Sequence, residues 1–489
     1  MMLLDAGAPD AIALIDATSG ETVRYQDLRE RVDTARAAWL RDLAPECVDR
    51  HLRAPALVFL QVRNDIASIV ALLSLRAAGF GVVLVDGSLD TQVRDGLIAT
   101  YRPVCVVTSD AQSVSDPQPI ATVNGLFRSP VADQYGLATV HDTFAFGLAT
   151  SGSTGSPKLV RLTEQAVVAN ARSIAEALSI DASDRAITCL PLHYAYGLSL
   201  LTSHLATGAS VVVTDKGFMD GAFWSAVKQH NVTALAGVPY MYEMLERLGA
   251  ARAVPSSVRV MTQAGGRLRD ESVERLHAFM QLRGGRFHVM YGQTEATARI
   301  TVMPHDWLPA RVGSAGRVIP GGTIEIRQLV DGAAAGPLLA HDEDGEVWYR
   351  GPNVMLGYAT TREELALGDE LGGSLRTGDI GHLDADGCLT ITGRVKRIGK
   401  LFGVRIDLDA IERQLSVAFP AAVIETDNQL VVFTVMPAAT PDDPALRSLV
   451  QQLSSQLRVQ QRNIVVKPIE ALPRTSSGKV DYPALRRAL

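Results

Sequence analysis

At 489 residues the chain is too long for one hydrophobic core and calls for two or three domains. Its 47% hydrophobic, 20% charged and 6% aromatic residues are ordinary for a soluble α/β enzyme. A net charge of −6 argues against nucleic acid or an anionic membrane as the main partner.

The opening Met1-Met2-Leu3-Leu4-Asp5 has no basic region and meets an acid at once, so no secretory leader is expected. Cys47, Cys105, Cys189 and Cys388 are far apart in sequence, which points to buried thiols in a reducing compartment rather than to disulfides or zinc. The longest apolar stretch, Ile66 to Leu75, is too short to span a bilayer. A cytoplasmic location without a membrane span is expected.

The first part alternates strand and helix. Leu57 to Val62 reads as a strand, Asp65 as the cap of a helix to Ala78, Gly81 to Val85 as a strand, Thr91 to Tyr101 as a helix and Val104 to Thr108 as a strand. Such spacing predicts right-handed βαβ units in a largely parallel sheet. Phe144 to Phe146 then leads into Gly147 to Lys158, where nine of twelve residues are Gly, Ser, Thr or Lys. Hydroxyls, bare amides and one ammonium suit phosphate oxygens, yet Pro157 before Lys158 excludes a Walker loop, and no G-x-G-x-x-G occurs. Thr163 is placed to cap a helix with Val167, Ala171, Ile174 and Leu178 on one face. Strands follow at Ser210 to Thr214, Thr233 to Gly237, Val258 to Thr262 and Phe287 to Met290, with helices at Ala222 to His230 and Tyr240 to Leu248.

Three apolar strands thus end in Gly-bearing turns: Gly152 to Gly155, Gly265-Gly266 and Gly292 to Glu295. In an open α/β sheet the ligand crevice lies at the carboxyl ends of the strands, so all three should line one crevice. From about Arg311 the texture turns to short strands and Gly turns, a β-rich subdomain at about 311–395. A basic break at Gly393 to Arg397 precedes a smaller α+β unit, and Pro437 to Pro444 reads as a surface loop.

Five motifs in order carry a resemblance: Thr150-Ser151-Gly152-Ser153-Thr154-Gly155-Ser156-Pro157-Lys158, Tyr291-Gly292-Gln293-Thr294-Glu295, Thr377-Gly378-Asp379, Gly393-Arg394 through Arg405 to Glu412, and Pro473 to Lys479. The chain resembles the adenylate-forming superfamily of acyl- and aryl-CoA ligases, stand-alone adenylation domains and beetle luciferases. The resemblance implies a large domain, 1–395, and a small mobile α+β domain, 396–489, with a hinge at Lys396. It also implies two half-reactions: ATP and Mg²⁺ activate a carboxylic acid as an acyl-adenylate, and a thiol of CoA or of a carrier-protein phosphopantetheine then displaces AMP.

Residue by residue, the resemblance assigns Thr150, Ser151, Gly152, Ser153, Thr154, Gly155 and Lys158 to the β- and γ-phosphates. Gly265 and Gly266 lie against adenine, and Tyr291 stacks on it. Thr294 holds the α-phosphate and Glu295 the Mg²⁺. Asp379 and Arg394 contact the ribose, Lys479 serves adenylation, and Lys400 is offered to the second half-reaction. His193, Tyr194, Tyr196, Val238, Gln293 and Arg299 would line the acyl pocket.

Two departures stand out. Tyr194 occupies the place where many acyl ligases carry His, with His193 one step earlier, so any gating role passes to Tyr194. Arg299 falls where relatives often have a small residue. It either makes a structural ion pair or meets a polar or anionic part of the substrate. A stand-alone amino-acid adenylation domain and an amine-using amide ligase remain alternatives, although no acid lies in Leu190 to Gly197 to pair with an ammonium. Luciferase-like oxygenase chemistry depends on the substrate and is not distinguished by sequence.

Overall fold

The computed structural model describes residues 3–48, 56–87, 89, 91–114, 116–123, 125–131, 140–150, 158–330, 335–401, 404–416, 418–426, 429–436, 443–457, 459–475 and 478–489. Contacts divide the chain into two compact units, Met1–Thr323 with Tyr349–Leu375, and Ile324–Trp348 with Arg376–Leu489. The division falls inside the β-rich stretch.

The first unit is built on two sheets. One runs in the order Gly357–Ala359, Lys158–Leu162, Phe146–Thr150, Gly81–Asp86, Leu57–Val62, Cys105–Thr108, Phe127–Pro130, Gln118–Pro119. Its centre is parallel, with Leu57–Val62 between Gly81–Asp86 and Cys105–Thr108. Leu57–Val62 is buried at every residue, as a strand covered on both faces must be, and it reads as an apolar run broken by Gln61. Asp65 caps the following helix, Ile66–Ala77, by accepting from Ser68 N at 2.7 Å, a contact worth about 1 kcal/mol. Thr163 does the same for Glu164–Leu178 through Ala166 N at 2.9 Å. Expected and observed ends of these helices agree to within a residue.

The second sheet of this unit includes parallel strands Ile12–Asp16, Ser210–Val213, Arg185–Ile187, Ala234–Gly237, Val260–Gln263 and Arg286–Tyr291. Helices Gly221–Gln229, Pro239–Leu248 and Asp270–Gln281 contribute Phe223, Val227, Tyr242, Leu245, Leu276 and Met280 to its core. Burying each such side chain contributes roughly 1.5–3 kcal/mol. Antiparallel strands Thr301–Val302 and Gly316–Val318 extend it, so the sheets are mixed at their margins rather than parallel throughout.

The second unit pairs Ser374–Leu383 with Cys388–Arg394 antiparallel. Its C-terminal part packs Leu408–Ser416 and Pro444–Leu457 on a three-stranded sheet, Ala421–Thr426, Gln429–Val435 and Ile464–Ile469. This is the expected α+β texture. Arg397 is central to it: it meets Asp409 at 2.8 Å and Glu412, and its guanidinium lies 4.3 Å from the Tyr482 ring centre. Tyr482 donates to Glu412 at 2.8 Å, and burial pushes that carboxyl above its usual range. Among the described residues no helix is long and apolar enough to cross a membrane.

Candidate active site

Strands Val260–Gln263 and Arg286–Tyr291 run parallel, with Gln263 opposite Val289. Their two exit turns therefore leave the sheet side by side. In the first, Gly265 has φ +87°, and a Cβ there would stand 2.6 Å from the Tyr194 hydroxyl and 3.1 Å from Val238. Only a glycine lets that turn lie flush against the wall made by these side chains. Gly266 accepts from Gln263 Nε2 at 2.7 Å.

The second turn doubles back on itself. A Cβ at Gly292 would be 1.9 Å from the Ala298 carbonyl oxygen. Thr297 and Ala298 take φ 59° and 129°, a region that side chains disfavour and that surrounding bonds must enforce. Asn353 supplies those bonds, donating to the carbonyls of Ala296 at 2.7 Å and Arg299 at 3.0 Å, while its own carbonyl accepts from Thr297 Oγ1 at 2.6 Å. Tyr349 donates to Asn353 Oδ1 at 2.6 Å and Asn170 to the Arg299 carbonyl at 3.1 Å. None of these three supporting residues, Asn353, Tyr349 and Asn170, was flagged by a sequence pattern.

The loop so held presents Thr294 and Glu295, both partly exposed. Glu295 accepts from the Tyr358 hydroxyl at 2.5 Å. Burial and the neighbouring carboxylate push the Tyr358 hydroxyl well above its ordinary range, so it remains a donor. Lys158 Nζ lies 5.5 Å from the centre of the same ring. Lys158 pairs with Thr150 across the mouth of the strand hairpin Phe146–Thr150 and Lys158–Leu162. The hairpin mouth and the second glycine turn thus meet through Lys158, Tyr358 and Glu295. Ser151, Gly152, Ser153, Thr154 and Gly155 lie outside the described residues, as do the side chains of Thr150, Lys396 and Lys400.

The acyl-pocket candidates divide. Tyr194 and Val238 flank Gly265, and burial pushes the Tyr194 hydroxyl up to about 12 against the lowering influence of Arg299. His193 engages a different partner, its Nε2 3.5 Å from Asp86 at the end of Gly81–Asp86, with burial lowering its pKa more than Asp86 raises it. Tyr196 is a core residue whose hydroxyl engages the Thr262 carbonyl at 3.0 Å and Oγ1 at 2.9 Å. Gln293 Nε2 is buried without a partner.

Arg299 corrects one expectation. It is 1% exposed, and no ion pair of its guanidinium occurs among the described residues. Its guanidinium lies 4.6 Å from the Tyr196 ring centre instead.

In the second unit Asp379 and Arg394 are cross-strand neighbours, Nε to Oδ1 2.9 Å, with Asp379 buried and Arg394 exposed. Tyr291 ends its strand partly exposed. Lys479 is exposed on a tight loop where Thr475 N donates to its carbonyl at 2.8 Å and Gly478 has φ +78°. A groove of about 580 Å³ lies at the opposite, amino ends of the strands, lined by Asp184, Arg259 and Arg286, and is no part of this site.

Residues 5–359 match the model of the family described as AMP-binding enzyme. The chain belongs to that family. This AMP-binding enzyme is a member of the adenylate-forming superfamily, an ATP-dependent, AMP-forming acid–thiol ligase. It is 28% identical over 483 residues to a 2-succinylbenzoate–CoA ligase of Bacillus cereus, across 96% of this chain and 93% of that one. It is 31% identical over 357 residues to 4-coumarate–CoA ligase 2 of Oryza sativa subsp. japonica, covering 70% of this chain and 61% of that protein. In fold it superposes on o-succinylbenzoate CoA synthetase of Bacillus subtilis, solved with an acyl-adenylate, at a TM-score of 0.74 and 22% identity, across 99% of this chain and 97% of that one.

The donor set suits a magnesium nucleotide. Among the described residues no group of three or more His, Cys, Asp or Glu could hold a metal by itself. Magnesium keeps several waters and binds through one or two carboxylates together with substrate phosphates, which a lone partly exposed Glu295 satisfies.

Proposed function

We propose that this ligase binds ATP with Mg²⁺ and a small carboxylic acid at the carboxyl ends of the first unit's strands. The observation that carries the reading is the meeting of Lys158, Tyr358 and Glu295, which ties a Ser/Gly-rich hairpin mouth to the Gly292–Glu295 turn, whose strand runs parallel to the one that leads into Gly265-Gly266. An ammonium and a carboxylate linked through one phenol ring can hold both ends of a magnesium triphosphate. Glu295 would carry the metal, which neutralises phosphate charge when bound. Lys158 and the Thr150 to Gly155 backbone would take the β- and γ-phosphates, and Thr294 the α-phosphate. Gly265, Gly266 and Tyr291 would bracket the adenine, and Asp379 with Arg394 the ribose.

In the first half-reaction a carboxylate oxygen attacks the α-phosphorus and pyrophosphate leaves with the bridging electrons. Lys479 supplies positive charge for this step, where fixed electrostatics contribute most. In the second, a thiolate attacks the acyl carbon and AMP leaves. Pivoting at Lys396 would withdraw Lys479 and bring in Lys400, making 1–395 and 396–489 the moving parts. CoA is the favoured acceptor; a carrier-protein phosphopantetheine presents the same thiol. A reducing, cytoplasmic setting suits Cys105, Cys189 and Cys388, which form no disulfide among the described residues.

Carboxylate-dependent ATP–pyrophosphate exchange over a panel of acids, α-amino acids included, tests the reading. Exchange with acids lacking an amino group supports it. Exchange confined to α-amino acids supports the amino-acid adenylation alternative, and silence with every acid defeats the proposal.

A further inference from the structure

We propose that Arg299 is a specificity-determining residue that reads a second, anionic group on the acid being activated, so that the preferred substrate is a dicarboxylic acid or a close acidic analogue. The inference rests on the adenylation reading above and names the class of acid it takes.

A guanidinium stays charged in proteins, and burying one without a partner is strongly unfavourable. Arg299 is 1% exposed, its Nε has no hydrogen-bond partner, and no side-chain hydrogen bond from its guanidinium occurs among the described residues. The Tyr196 face, 4.6 Å away, returns only part of that cost. The neighbouring phenols of Tyr194 and Tyr196 do not neutralise it, because burial keeps both protonated.

Arg299 lines a narrow cleft of about 30 Å³ with Tyr196, Ser199, His204, Met290 and Asp184. Asp184 is the single acid on its wall, and that carboxylate is already engaged by Arg259 at 2.8 Å, Thr233 at 2.9 Å and the Asp181 amide at 3.1 Å. The cleft has room for a group of water or carboxylate-oxygen size and none for a ring. It lies behind Tyr196 and Met290, and Met290 belongs to the strand that ends at Tyr291. The backbone of Arg299 is pinned by Asn170 and Asn353, so the guanidinium is carried on a rigid support. A fixed cation with spare donors, next to a wall that also touches the adenine turn, is suited to an anion at the far end of an acyl chain.

Acid-dependent ATP–pyrophosphate exchange with paired probes tests this: glutarate against pentanoate, adipate against hexanoate, and terephthalate against 4-methylbenzoate. The native enzyme should prefer the diacid of at least one pair. Arg299→Met should lower kcat/KM for that diacid about 100-fold, as loss of a buried charge partner does, while leaving the monoacid unchanged or improved. Arg299→Lys, which keeps the charge and most of the volume, should recover part of the loss through KM with kcat little altered. Calorimetric binding of the diacid should weaken in parallel.

Exchange with monoacids alone, unaltered by either substitution, would overturn the inference and leave the adenylation reading standing. Equal loss of both members of each pair in Arg299→Lys would assign Arg299 a structural role and also overturn it. Silence of the native enzyme with every acid would remove the adenylation reading and this inference with it.

Discussion

Arg161 and Arg299, both buried in the first unit, have surroundings that differ in kind. Arg161, at 0% exposure, donates to the Glu370 carboxylate, to the Tyr358 carbonyl at 3.2 Å and to the Leu367 and Gly368 carbonyls. It fastens Lys158–Leu162 to Gly357–Ala359 and so holds Tyr358 in place. Arg299, at 1%, has a ring beneath it and an unpartnered Nε. The first environment is complete without a ligand, and the second is not. A buried charge that its own fold satisfies contributes to stability. One left unsatisfied sacrifices stability to function, and polar failures of that kind concentrate at sites.

The contrast can be broken most directly at Arg161. Arg161→Met should destabilise the protein by about 3 kcal/mol in urea unfolding, because three partly buried carbonyls and a carboxylate lose their donor at once. The same change at Arg299 should cost little stability or none. Equal losses at the two positions would erase the distinction.

His288 gives a third way of managing a buried polar group. It is 3% exposed, its Nδ1–H donates to the Met303 carbonyl at 3.0 Å, and burial lowers its pKa from 6.5 to about 4. Between those values the unfolded chain takes up a proton that the folded one refuses. The stability this histidine allows is therefore fully present above pH 6.5 and drains away as pH falls toward 4, by roughly 3 kcal/mol. His288→Asn, which keeps a donor for Met303, should flatten that acid limb in urea titrations at several pH values. An unchanged slope would show that His288 is not its source.

The smallest effect is expected at Tyr358, which connects the Arg161 region to the site. Tyr358→Phe keeps the ring beside Lys158 and removes only the hydroxyl given to Glu295. A hydrogen bond to a charged acceptor is worth about 1.5–3 kcal/mol, and half-exposure reduces it, so exchange should slow about tenfold with KM for the magnesium nucleotide raised. No change in that KM would separate Tyr358 from the nucleotide site.

Local signals were the legible ones. Asp65 and Thr163 were recognisable caps because a cap needs only its own side chain and the next three amides. The two glycine turns were readable because apolar runs ending in glycine mark strand exits in any α/β sheet. Tyr358 and Asn353 escaped because their partners lie far away in sequence: Glu295 is 63 residues from Tyr358, and Ala296 is 57 from Asn353. Tyr196 lines the cleft beside Arg299 with its ring, while its hydroxyl serves Thr262 in the core. An aromatic beside a pocket motif carries no mark of which way it faces. The ion pair expected of Arg299 failed for the opposite reason: an arginine in sequence suggests a carboxylate partner, and here none of the described residues supplies one.

Adenylation and thioester formation are proposed to draw on different residues, with Lys479 serving only the first. Lys479→Ala should depress carboxylate-dependent ATP–pyrophosphate exchange by about 100-fold or more, yet convert a supplied acyl-adenylate and CoA to thioester and AMP at close to the native rate. Equal loss of both half-reactions, or exchange that survives the substitution, would contradict the account.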